Sequence, residues 1–191
     1  MAKHTQNGVV DVEIEHESSE YSDWYVLFVQ SGKEEFMAER CRNGLGEALS
    51  ARFFVPKYQV MMQFAHVWEI RERVLFPGYI FIETDEIKEV QQGFWRIPYY
   101  KRMLGKDEEE IHPITVREKQ RLCLLMNDDG IIEASRGYKD GECVEITKGA
   151  LVGHEAEIQR IDRHKRTATV ELELLGKCVK MNLGLELANR E

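Results

Sequence analysis

The segment Leu75 to Glu83, LFPGYIFIE, holds the residues of this chain best suited to gripping another molecule: one aromatic ring before a Pro-Gly bend and two after it. Pro77 fixes its own backbone and offers no amide donor, while Gly78 admits angles closed to other residues, so the chain must bend here. Beyond the bend, Tyr79, Phe81 and Glu83 fall on one face of a strand and Ile80 and Ile82 on the other. One face suits a core. The other fits either a half-buried sheet or a surface that presents aromatics to something outside. A second chemistry lies in the cations. Arg163-His164-Lys165-Arg166 reads as a turn between strands, and Lys177 and Lys180 lie on the next hairpin. Such an edge suits phosphate contact, although turns are also charged for solubility.

Catalysis finds little support. The chain has no GxxxxGK[ST] phosphate loop, no GxSxG and no HExxH. The pair Glu34-Glu35 is explained by the first turn of a helix, where negative charge meets the dipole. Cys41, Cys123, Cys143 and Cys178 are scattered, with no CxxC and no histidine at ligand spacing, so they read as small buried hydrophobes in a reducing compartment. His154 and His164 read as surface or core residues. No catalytic residue, metal or cofactor is expected.

The elements that must position these residues follow from periodicity. Trp24 to Gln30 is an aromatic and β-branched strand, and Ser31 with Glu34 then stands at capping-box spacing before a helix through Phe36, Met37, Arg40, Cys41 and Leu45. Strands over Arg52–Gln63 and Val67–Leu75 meet near Phe64-Ala65-His66, and the bend leads into Tyr79–Glu83. A helix from Ile87 to Trp95 stops at Pro98, and Lys101–Leu104 returns as a strand. That order is the ferredoxin-like split βαβ. Thr115 and Glu118 cap a further helix that Asn127 to Gly130 ends. From Tyr138 the pattern is all β: Cys143–Thr147, Ala156–Ile161, Thr167–Leu175 and Cys178–Met181, punctuated by glycines, describe a small barrel of about five strands.

The 191 residues, 43% apolar, therefore divide into an acidic tail (1–23), an α+β domain (24–130), a linker (131–137) and a β-barrel (138–191). The tail reads as mobile, with a weak edge strand at Val10, Val12 and Ile14 as the second reading. The net charge of -8 is concentrated in this tail, at -5, whereas residues 24–102 carry +1, so local basic patches are permitted. With no apolar run of roughly 20 residues, the chain is expected to be soluble and cytoplasmic, outside membranes.

WYVLFVQSGKEE, LFPGYIFIE and the later Arg96-Ile97-Pro98 resemble, in order and spacing, the N-terminal (NGN) domain of the NusG family of transcription elongation factors. Gly141 to Ile146, followed by Gly149-Ala150-Leu151-Val152-Gly153 and Glu157 to Asp162, is similar to the family's KOW motif, with Gly149, Leu151 and Gly153 at its centre. The C-terminal part would then be an SH3-like KOW barrel. Within the family, WYVLFV followed by GKEE is most similar to LoaP, a specialised antiterminator of long operons. Ala150, Leu151 and Ala156 stand where proline, phenylalanine and glycine are common, which puts contacts with Rho or the ribosome in doubt. A housekeeping factor coupling polymerase to Rho or the ribosome is the second reading, and a KOW-type RNA- or ribosome-binding module without polymerase function the third.

The resemblance implies a monomer seated on the clamp of RNA polymerase's largest subunit through Phe28, Phe76, Tyr79 and Phe81, although core packing also suits these rings. It implies nucleic-acid contacts by Lys33, Arg40, Arg71 and Arg73 to non-template DNA. Arg163, Lys165, Arg166, Lys177 and Lys180 would contact nascent RNA.

Overall fold

The computed structural model describes residues 22–45, 49–94, 97, 102–103, 112–141 and 143–189. Residues 1–21 of the proposed tail, the Arg96 and Pro98 of the third motif and most of the acidic loop lie outside these residues.

Among the described residues, twelve strands and three α-helices form a mixed α+β chain. The first is β1 (Trp24–Phe28), followed by α1 (Glu34–Leu45), β2 (Ala51–Phe54), β3 (Lys57–Phe64), β4 (Val67–Val74), β5 (Tyr79–Thr84), α2 (Ile87–Phe94) and β6 (Arg102–Met103). Then come α3 (Val116–Leu125), β7 (Ile131–Ile132), β8 (Ser135–Asp140), β9 (Cys143–Lys148), β10 (Arg160–Asp162), β11 (Thr167–Leu174) and β12 (Lys177–Asn189). A four-stranded antiparallel sheet has the order β2-β5-β1-β6, a five-stranded sheet β10-β11-β12-β8-β9, and a smaller sheet β4-β3-β7.

β1 is apolar throughout because both of its faces are covered. Tyr25 and Leu27, with Ile80 and Ile82 of β5, pack against Met37, Ala38 and Cys41 of α1 and Val90 and Phe94 of α2. The opposite face carries Trp24, Val26, Phe54 and Phe81, covered by Ile114 and by Leu122 and Leu125 of α3. That second cluster continues into the C-terminal sheet through Ile146, Leu151, Val170, Leu172 and Leu183, so one apolar core joins both halves of the chain.

Several boundaries differ from the sequence reading. The expected strand Arg52–Gln63 breaks at Val55-Pro56, because Pro56 has no N–H for a ladder and the chain changes sheet there. Residues 131–137, read as a linker, contain β7, which pairs in parallel with Lys57 and Tyr58, and the start of β8. The expected strand Ala156–Ile161 starts instead with a turn of 3-10 helix, Glu155–Glu157. The capping box at Thr115 and Glu118 forms as expected, with both reciprocal bonds present. Of the cysteines only Cys41 is buried, its thiol pushed up to about 12 by burial; Cys123, Cys143 and Cys178 are exposed, their positions facing solvent.

Candidate functional site

The Pro-Gly bend is a type II turn: Tyr79 N–H donates to the Phe76 carbonyl at 3.1 Å, and Gly78 has φ +87° at the position that requires it. Two contacts lock the turn to its neighbours. Val29 N–H donates to the Gly78 carbonyl at 2.8 Å, and Gly78 N–H donates to the Glu34 carboxylate at 2.7 Å. The Ser31–Glu34 spacing predicts a capping box for Glu34. Glu34 is instead buried, 4% exposed, and reaches from the first turn of α1 to the bend.

Burial pushes the Glu34 carboxyl up, but hydrogen bonds from backbone N–H groups, that of Gly78 foremost, outweigh it and leave the group below its ordinary 4.5. Glu118 behaves alike: burial raises it, while Thr115 and the Gly176 backbone, whose N–H lies 3.2 Å from Oε1, lower it further. Both carboxyls therefore hold protons less readily folded than unfolded. The stability they add is full above about pH 4.5 and is lost as pH falls through their folded values. Acid titration of the melting temperature should show this loss, and Glu34→Gln with Glu118→Gln should flatten it; an unaltered pH profile in the double variant would refute the assignment.

The four aromatics proposed for docking separate into two groups. Phe81 is 0% exposed and Phe76 4%; their rings stack at 5.9 Å, and Phe81 also meets Phe54 at 5.7 Å and Trp24 at 6.1 Å. Phe76 serves the core, in one cluster with Leu122 and Leu125 of α3. Phe28 is 38% exposed and Tyr79 half-buried; they are cross-strand neighbours whose rings meet edge-on at 5.8 Å. Tyr79 and Phe76 border a cleft of about 1180 Å³ between α3 and the β11–β12 hairpin. The far side is held by an ion pair of Arg121 with Glu157 and by the Gly176 bond to Glu118.

The expected cations are likewise dispersed. Lys33 is exposed before α1, Arg40 lies over the Phe36 ring at 5.2 Å, and Arg71 pairs with Glu69 at 2.5 Å. Arg73 rests against Met62 Sδ at 3.6 Å. Within the basic turn, Arg163 donates to Asn189 Oδ1 at 2.9 Å, and Lys165 is exposed. Arg166 is engaged: its guanidinium sits 4.4 Å over the Trp68 ring of β4 and pairs with Glu186. Lys177 and Lys180 are exposed on β12, Lys180 opposite Glu171. In the glycine-rich motif, Leu151 is buried, and its N–H donates to the Ser135 hydroxyl at 3.0 Å. Gly149, at φ +96°, leaves no room for a side chain, since a Cβ would stand 2.5 Å from the Ala134 carbonyl oxygen. Gly153 closes the motif at φ +77°. Among the described residues no cluster of His, Cys, Asp or Glu could hold a metal ion, and no helix is long and apolar enough to cross a membrane.

A sheet whose one face is packed by two helices and the other by a third, joined to a small β unit, defines a two-part α+β protein. The family model for the transcription termination factor NusG matches residues 22–123, and the chain belongs to that family of transcription termination and antitermination factors. It is 24% identical over 165 residues to the transcription termination/antitermination protein NusG of Pasteurella multocida, covering 84% of this chain and 90% of that one. The Vibrio parahaemolyticus NusG is 25% identical over 167 residues, covering 84% and 91%. A structure of Thermotoga maritima NusG, reported for its domain interaction, superposes with a TM-score of 0.50 at 20% identity, covering 85% of this chain and 93% of that one, and shows the fold.

Proposed function

We propose that this chain is an elongation factor that binds the clamp of RNA polymerase's largest subunit, suppresses pausing and promotes processive antitermination on particular long operons. In this reading residues 24–130 form a ferredoxin-like NGN domain and residues 138–191 a KOW barrel that contacts nascent RNA. The observation that carries it is the solvent-accessible Phe28–Tyr79 pair at the end of the two central strands, braced by the locked Pro-Gly bend, in a chain of the NusG family. Clustered, solvent-exposed aromatics are the usual anchors of protein interfaces. A factor of this kind needs only to bind the elongating state of polymerase better than the paused one. A differential of about 3 kcal/mol shifts the balance between them by more than a hundredfold.

Support for a specialised role comes from the KOW segment. Leu151 is buried, so leucine in place of phenylalanine there alters packing within the fold, whereas Ala156 is exposed and alters a surface. A changed surface there counts against the contacts with Rho or the ribosome that a housekeeping factor would make. Immobilised full-length chain should retain RNA polymerase from purified core enzyme; absence of retention at micromolar protein would refute the reading.

A further inference from the structure

A cleft of about 430 Å³ opens between the β3–β4 hairpin and the C-terminal sheet, and its charged lining is mainly cationic in a chain of net charge -8. Strand register builds one wall. Arg160, Thr169 and Asn182 stand opposite one another on β10, β11 and β12; two residues along, Asp162, Thr167 and Gly184 form the next row on the same face. Gly184 is what admits the other wall. A Cβ there would lie 2.9 Å from the Gln59 carbonyl oxygen, so bare backbone lets β12 lie against β3 and brings the hairpin over the row. The hairpin contributes Tyr58 and Arg73, which are cross-strand partners.

Lys165 enters from the turn between β10 and β11. Asp162, the one carboxylate in the lining, accepts the Lys165 backbone N–H at 2.9 Å and so holds that turn in shape. Arg73, Arg160 and Lys165 leave an excess of positive charge after Asp162 is counted. The Thr169 hydroxyl donates to Asn182 Oδ1 at 2.8 Å, which turns the Asn182 amide so that its N–H groups are left to donate to a ligand. Cations, hydroxyls, an amide and one aromatic ring in a groove are the chemistry of backbone tracking with base stacking.

We propose that this cleft, shared by the hairpin and the C-terminal sheet, binds a nucleic-acid strand through its phosphodiester backbone. Arg73, Arg160 and Lys165 meet phosphates, Thr167, Thr169 and Asn182 bond sugar-phosphate oxygens, and Tyr58 offers a stacking face. The proposal rests on the reading that the chain works on transcribed nucleic acid, and it relocates the contact. Arg163 and Arg166 of the basic turn are held by Asn189, Trp68 and Glu186, whereas Arg160, Thr169 and Asn182 were not among the expected contacts.

The test is fluorescence anisotropy of the full-length chain with a short labelled oligouridine and the matching oligothymidine across a salt series. Arg73→Gln, Arg160→Gln and Lys165→Gln should each weaken binding about fivefold at 0.1 M salt and lower the salt slope by about 0.7. Lys88→Gln, exposed on α2, should change neither. Tighter binding of oligouridine assigns the strand to RNA and tighter binding of oligothymidine to DNA; either supports the cleft. No salt-dependent binding of either strand, equal losses in Lys88→Gln, or displacement by polyglutamate at equal charge would overturn it. Retention of polymerase by Arg160→Gln should match the parent, so failure of the cleft and failure of docking are read separately.

Discussion

Phe81→Ala is expected to lower the unfolding free energy by about 3–5 kcal/mol. The ring is fully buried and touches Trp24, Phe54 and Phe76, all from different segments, so its removal leaves a cavity that no one neighbour can fill. A loss of that size is a large fraction of the roughly 5–15 kcal/mol that holds a domain together. Phe81→Leu, which keeps most of the volume, should cost less than about 1.5 kcal/mol. Urea unfolding of the two variants checks the pair. Equal and small losses would mean that Phe81 is a surface anchor after all.

The second large effect separates docking from folding. Phe28→Asp combined with Tyr79→Asp should reduce polymerase affinity by at least a hundredfold, because each ring, if it anchors the interface, is worth about 2 kcal/mol or more. The same double variant should stay folded but melt below the parent, since it loses a cross-strand pair worth roughly 0.2–1 kcal/mol and sets two like charges opposite each other. Phe76→Asp, by contrast, buries a charge beside Phe81 and is expected to unfold the chain, so it reports on the core rather than on a partner. Titration of labelled polymerase against each variant, paired with its melting curve, distinguishes these outcomes.

Local pattern made the elements legible and left their burial open. The period of two in β5 correctly divided Tyr79, Phe81 and Glu83 from Ile80 and Ile82, since alternation is a property of the strand alone. It could not tell that α3, more than thirty residues on, covers Phe81 while leaving the Phe28 end of the sheet open. The capping spacing at Thr115 and Glu118 holds in the fold, because a capping box is completed within four residues. The same spacing at Ser31 and Glu34 misled, because Glu34 finds a stronger partner in Gly78, 44 positions away. Likewise the cations of the Arg163 to Arg166 turn were visible as a run, but the cleft near them depends on Gly184 meeting β3, a contact that no local spacing encodes.

We propose that this chain sustains transcription by holding polymerase through the Phe28–Tyr79 pair at the end of its two central strands. Single-round transcription in vitro through a pause site followed by an intrinsic terminator, with purified polymerase, tests it most directly. The parent chain should shorten the pause and raise read-through, and the Phe28→Asp, Tyr79→Asp variant, shown by its melting curve to be folded, should do neither. Unchanged pausing and read-through with the parent chain, or full activity in the double variant, would contradict it.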